Sequence, residues 1–130
     1  MIKTIDNTTH MLYIYNMGKA YWYLTNNGRS PVEEAIEKLS KPDQAKIYAN
    51  ISLLEKFGNR LGMPAVRKIE GKLKELRITI SPGKYRIFYF FYEGENFYLL
   101  HGILKKVQKT PKKDINTAKK RMKTILRQLL

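Results

Sequence analysis

Residues 73–104 read LKELRITISPGKYRIFYFFYEGENFYLLHGIL, the longest strand-like stretch of the chain. Over Leu73–Ile80 apolar and polar side chains alternate, which is the two-residue period of a strand with one buried face. The aromatic and branched runs Tyr85–Tyr92 and Phe97–Leu104 have the composition of two further strands. The turn-forming segments SPG and EGEN separate the three runs. The stretch therefore predicts a three-stranded antiparallel meander.

The middle strand, Tyr85–Tyr92, is apolar on both faces except at Arg86. Strands of this composition are covered on both faces, so the sheet needs packing partners on each side. A charged side chain in such a strand is either paired inside the core or functional. Arg86 is therefore the most conspicuous single residue of the chain.

The first half of the chain predicts one strand and two helices. Ala20–Leu24 is aromatic-rich and ends in a turn, as a strand does. Ser30 is placed as an N-cap, followed by Pro31 at the first helical position. A second helix begins after Ser40 and ends at Gly58.

The C-terminal residues Thr110–Leu130 predict a basic amphipathic helix, with Thr110 as its N-cap and Pro111 as its first residue. The expected fold class is α+β: a compact antiparallel sheet, two N-terminal helices packed on it and this final helix. Residues 19–130 form one domain, and residues 1–18 are expected to be a poorly ordered leader or an edge segment.

The charge distribution points to a polyanionic partner. The chain has 130 residues, 25 Lys and Arg against 11 Asp and Glu, and no cysteine. Residues 1–65 carry 8 basic and 6 acidic side chains, and residues 66–130 carry 17 and 5. Nucleic acid is the expected partner of such a basic half. Without cysteine a disulfide framework is excluded, and without a long apolar run or a signal-peptide pattern we expect a cytoplasmic protein.

Few side chains are suited to metal or nucleotide chemistry, so we expect neither a metal nor another cofactor. No glycine-rich phosphate loop and no HExxH motif occurs. RNA needs neither, because its ribose 2′-hydroxyl can attack the adjacent phosphate, leaving a cyclic phosphate and a free 5′-hydroxyl. A protein promotes that step by aligning the backbone, stabilising the phosphorane with cations and moving protons. The candidates on or just beyond the strands are Arg77, Arg86, His101, Lys105, Lys106 and Lys109.

Five short motifs occur in unbroken order: GMPAVRKIEG at 62–71, ELRI at 75–78, YRIFY at 85–89, LLHG at 99–102 and KKVQKTP at 105–111. Together, over about Ala20–Arg127, they resemble the HigB-like, phage-associated branch of the RelE/ParE toxin superfamily. The resemblance implies a RelE-like fold and the toxin of a type II toxin–antitoxin system. Such a toxin cleaves mRNA, usually on the ribosome, and is neutralised by an antitoxin that is often a helix-turn-helix DNA-binding protein.

The resemblance also assigns roles by position. It places the phosphate contacts on Arg77, on Arg86 and on Lys105 or Lys106. RelE uses a tyrosine near its C-terminus, which this chain lacks, and His101 is the substitute predicted to move a proton. Further RNA contacts are expected from the lysines around these positions. These are Lys72, Lys105, Lys109, Lys112 and Lys113.

Each assignment has a structural alternative. Arg86 could be paired with Glu75 or Glu70 on a neighbouring strand, and Arg77 could be a solvated charge. His101 could be satisfied by a backbone carbonyl, and the lysines could be solvated. Two other functions also stay open: a ParE-like inhibitor of DNA gyrase that acts by protein binding, and a non-toxic phage protein that binds nucleic acid.

Overall fold

The computed structural model describes residues 2–4, 18–81, 83–105 and 110–130. It has the α+β architecture expected, with six strands and three helices in the described chain. In chain order these are β1 (Ile2–Thr4), β2 (Ala20–Tyr23), α1 (Pro31–Glu37), α2 (Lys41–Phe57), β3 (Val66–Glu70), β4 (Leu73–Thr79), β5 (Lys84–Phe91), β6 (Phe97–Lys105) and α3 (Lys112–Leu129). A short 3-10 turn, Gly58–Arg60, follows α2.

All six strands form one sheet in the order β1-β2-β6-β5-β4-β3. The predicted meander is confirmed as β4, β5 and β6, which pair antiparallel. Two features differ from the expectation. The sheet is mixed rather than purely antiparallel, because β2 runs parallel to β6, and β3 is an additional strand that pairs with β4. The arrangement is consistent with the RelE-like fold.

The sheet is covered on both faces, as the composition of β5 requires. Ile87 and Tyr89 belong to the core under α1 and α2, whereas Phe88 and Phe90 belong to the core under α3. All four side chains have no exposed surface. Because successive strand residues point to opposite faces, this single strand supplies both cores.

Helix caps explain where the helices begin. The Ser30 hydroxyl accepts a hydrogen bond from Glu33 N at 3.4 Å, and Ser40 caps α2 in the same way. The predicted cap of α3 is wrong by one residue. Pro111 occupies the N-cap, and the Thr110 hydroxyl is buried against the sheet instead.

The N-terminal leader contributes a strand at the sheet edge. Ile2–Thr4 pair antiparallel with Tyr21–Tyr23. Residues 5–17 lie outside the described residues, so the predicted boundary near residue 18 stays a prediction. Among the described residues no helix is long and apolar enough to cross a membrane.

Candidate nucleic-acid interface

The strand register brings basic side chains together at one end of the sheet. Arg77 of β4 lies opposite Arg86 of β5, and Lys84 lies opposite both Thr79 on one side and Lys105 on the other. Residues directly opposite each other in a sheet share a face. Like charges in such positions repel, so a Lys84–Lys105 pair at an exposed sheet end is suited to an anionic ligand.

Arg77 lines a groove beside β4 just beyond its pairing with β3, where the Arg77 backbone N–H donates to the Ala65 carbonyl at 2.7 Å. No residue of β3 pairs with β4 beyond Leu76, so α2 and the segment before β3 form the other wall. The groove has a volume of about 560 Å³. Its lining residues are Lys46, Asn50, Pro64, Ala65, Arg77, Thr79 and Lys84, which we call the Arg77 groove.

The Arg77 groove is strongly basic. Three of its lining residues carry a positive charge, and none of those described carries a negative one. The ammonium of Lys84 donates to the Thr79 hydroxyl at 2.6 Å, which holds it at the groove wall. The Arg77 side chain is 17% exposed, so it is largely packed yet still reaches solvent. Fixed cations around a cleft of this kind favour a phosphate.

Arg86 is not on the accessible surface, and its predicted contact with a phosphate needs correction. Its side chain is 1% exposed, and Nη1 lies 3.7 Å from Oε2 of Glu75. Nη1 also donates to the Thr110 hydroxyl at 2.9 Å. The pairing with Glu75 is the structural alternative raised by the sequence, and in this arrangement RNA does not reach the Arg86 guanidinium.

Glu75 connects the buried arginine to the groove. Its Oε2 accepts a hydrogen bond from the Thr110 hydroxyl at 2.8 Å, and its Oε1 lies 3.8 Å from Nε of Arg77. Thr110 thus uses its hydroxyl both as donor and as acceptor. We call Glu75, Arg77, Arg86 and Thr110 the Glu75 node.

His101 joins β6 to α3 instead of facing the groove. Its Nε2 lies 2.8 Å from Oδ1 of Asp114, and its Nδ1 lies 3.4 Å from Nη1 of Arg121. Because an arginine can only donate, Nδ1 accepts and Nε2 carries the proton. Burial lowers the pKa of His101, outweighing the hydrogen bond to Asp114, which raises it.

The position of His101 does not suit the proton-transfer role predicted for it. In the sheet, Arg77 lies in the same row as Arg86 and Ile103, and His101 precedes Ile103 by two residues. Two strand spacings across and two residues along correspond to about 12 Å between the Cα atoms of His101 and Arg77. The side chain that was expected to move a proton is therefore engaged with α3 and separated from the Arg77 groove.

The predicted lysines are divided over the molecule. Lys105 ends β6 beside Lys84, and Lys112 and Lys113 are exposed in the first turn of α3. Lys72 lies in the turn before β4, about 23 Å along the strand from the row of Lys84, with its ammonium over the Tyr92 ring. The structure does not bring Lys72 to the groove. Lys106 and Lys109 lie outside the described residues.

The sequence does not predict that Lys46, Asn50, Thr79 and Lys84 line the groove. The last two flank the SPG turn, so hairpin register could have paired them. No local signal places Lys46 and Asn50 beside β4, because that contact depends on how α2 packs on the sheet. Among the described residues no group of His, Asp or Glu is arranged to hold a metal ion.

A comparison with protein-family models gives one family match. Residues 34–123, more than half of its length, match the family described as Phage derived protein Gp49-like (DUF891). The chain belongs to the Gp49-like family. The Gp49-like match runs from α1 into α3 and so includes the Glu75 node and every lining residue of the Arg77 groove. No curated protein gives a match to the chain.

Proposed function

We propose that this Gp49-like protein is the toxin of a type II toxin–antitoxin system and a metal-independent endoribonuclease of HigB type. Its substrate is mRNA, presented by the ribosome, in the cytoplasm. The observation that carries the proposal is the convergence of Lys46, Arg77 and Lys84 on one groove without an acidic lining residue. The Gp49-like family and the RelE-like arrangement of sheet and helices support it.

The Arg77 groove supplies the electrostatic part of RNA cleavage. The O2′–P bond forms as the P–O5′ bond breaks, while the 2′-hydroxyl proton passes to water and the leaving O5′ takes a proton from water. Negative charge accumulates on the nonbridging oxygens during this step. The guanidinium of Arg77 and the ammonium of Lys84 stabilise that charge, and Lys46 binds the neighbouring backbone. A charged donor placed in this way contributes about 3 kcal/mol to the transition state. Arg86, in contrast, does not contact the RNA but forms a buried ion pair with Glu75.

The remaining partners follow from the same proposal. A cognate antitoxin, a helix-turn-helix DNA-binding protein, neutralises the toxin. The exposed lysines of the first turn of α3, Lys112 and Lys113, and Lys105 beside Lys84 extend the basic surface along which RNA would bind. No cofactor takes part in this mechanism.

One observation favours a second function, the ParE-like inhibition of DNA gyrase. Among the described residues that line the groove, none is a carboxylate or an imidazole, and His101 is engaged by α3. A groove that binds without catalysing would have this composition. The same basic surface would then hold a partner protein or DNA, and transcripts would stay intact.

The test is the cleavage of ribosome-bound mRNA by Arg77→Ala and Lys84→Ala variants. We expect Arg77→Ala to lower the cleavage rate about 100-fold, the effect of removing one preorganised charged donor. Lys56→Ala is the matched control, because Lys56 is exposed on the same helix as Lys46, about 15 Å further along it. Equal rates for Arg77→Ala and Lys56→Ala would contradict the proposal.

A further inference from the structure

Glu75 is a carboxylate without exposed surface that lies between the two arginines of the candidate site. Its two oxygens face different partners. Oε2 accepts a hydrogen bond from the Thr110 hydroxyl and lies 3.7 Å from Nη1 of Arg86. Oε1 lies 3.8 Å from Nε of Arg77, and these two buried atoms have an ion pair but no hydrogen-bond partner among the described residues. Only Arg77 of these partners also lines the groove. A buried charge is costly unless it is paired, so its presence behind a basic groove calls for a reason.

We propose that Glu75 is a positioning residue, which fixes the orientation of the Arg77 guanidinium at the groove. The proposal rests on the proposed RNA cleavage and deepens it. An arginine side chain has about 2 kcal/mol of rotamer entropy to lose, and a guanidinium held in advance loses less of it when a ligand binds. Glu75 draws the Nε side of Arg77 into the sheet, and the terminal nitrogens stay available to a phosphate.

A core variant outside the candidate site separates a loss of stability from a loss of orientation. Val32 of α1 is buried in the core under α1 and α2, and it belongs neither to the Glu75 node nor to the lining of the Arg77 groove. Val32→Ala removes buried methyl groups and lowers stability without touching either one. Glu75→Gln, in contrast, acts directly at Arg77.

Neutralising Glu75 is expected to have different effects on the affinity for RNA and on the rate of cleavage. Glu75→Gln preserves the size of the side chain but removes a negative charge close to the groove. The groove then becomes more positive, so the affinity for a polyanion does not fall. The guanidinium loses its fixed orientation, so the chemical step slows. A variant that merely destabilised the fold would lower both the affinity for RNA and the rate of cleavage.

The experiment compares Glu75→Gln with Val32→Ala in steady-state cleavage of ribosome-bound mRNA. For Glu75→Gln we expect kcat to fall at least 10-fold while KM stays equal or decreases. For Val32→Ala we expect a lower melting temperature but a kcat within about 2-fold of the parent. Equal kcat losses in the two variants would overturn the proposal, as would a parental kcat in Glu75→Gln.

A spectroscopic measurement separates this proposal from the proposed function. In ¹⁵N-labelled protein the Arg77 Nε–H resonance is expected to shift in Glu75→Gln and to stay in place in Val32→Ala. If the parent cleaves no RNA, the proposed function fails and the resonance still tests the positioning. An Nε–H resonance that does not respond to Glu75→Gln contradicts it.

If Glu75→Gln does not fold, Glu75→Asp is the second variant to measure. Glu75→Asp keeps the negative charge for Arg86 but withdraws it from Arg77 by one methylene. We expect this variant to fold, to lose kcat and to shift the Arg77 Nε–H resonance. Parental values for both measurements would overturn the proposal.

Discussion

Arg86 and Glu75 form a buried ion pair whose partners depend on each other. Removing one partner of such a pair leaves an uncompensated charge in the core, which costs about 3–5 kcal/mol. We therefore expect Arg86→Ala to lower the free energy of unfolding by that amount, measured by urea denaturation. Replacing the pair together, as Glu75→Leu with Arg86→Met, should cost less than Arg86→Ala alone. A stable Arg86→Ala protein that only lost RNA cleavage would show that Arg86 contacts the substrate after all.

At the residue scale, the sequence identifies Arg86 but not its role. A lone charge in an apolar strand predicts either a buried partner or a ligand, and Glu75 was one of the two partners that the sequence offered. The choice depends on the β4–β5 register, which sets Arg77 opposite Arg86 and leaves Glu75 two residues away on the same face. The Thr110 hydroxyl, 35 residues further along the chain, donates to Glu75, and no local sequence pattern reveals this contact.

At the scale of elements, α3 is attached to the sheet both by its apolar stripe and by His101. The predicted amphipathic helix is confirmed, with Ala118 and Ile125 of its apolar side buried against the second face of the sheet. Asp114 and Arg121 then hold the two ring nitrogens of His101. Arg121 also donates to the Leu100 carbonyl at 2.9 Å and lies over the Tyr23 ring. The docking of α3 therefore includes one titratable group.

This attachment predicts a dependence of stability on pH. Burial lowers the folded-state pKa of His101 from 6.5, and the charges of Arg121 and Lys113 lower it further. The unfolded chain then binds the proton more readily, so the stability present above pH 6.5 is lost as the pH falls through the folded-state pKa. The free energy of unfolding, measured from pH 7.5 down to 5, should decrease more steeply in the parent than in His101→Gln. Parallel profiles would contradict the assignment.

The missed strand β3 also belongs to the scale of elements. Its two apolar side chains pack on opposite faces of the sheet, Val66 in the core under α1 and α2 and Ile69 against the core under α3. The register also shifts between Lys68 and Glu70, so the strand has no continuous apolar face by which it could be detected. The parallel pairing of β2 with β6 was missed for a different reason. It joins residues some 77 positions apart, and only the complete sheet determines it.

At the scale of the whole molecule, the net charge of +14 should make RNA binding depend on salt. For a single strand the slope of log affinity against log salt is about −0.7 per phosphate neutralised. We expect Lys84→Ala to reduce this slope by about 0.7 and Lys56→Ala to leave it unchanged. The measurement uses a 2′-O-methyl RNA oligonucleotide, which has no attacking hydroxyl and is not cleaved. Equal slopes for parent and Lys84→Ala would remove Lys84 from the interface.

In the proposed function, the basic groove at Arg77 promotes attack of a ribose on its own phosphate. The chemistry of the RNA ends left after purified protein acts on a ribosome-bound transcript tests this step. We expect 2′,3′-cyclic phosphates and free 5′-hydroxyls with the parent, and their loss with Arg77→Ala. Intact transcripts together with double-strand breaks in DNA would contradict it and favour gyrase inhibition.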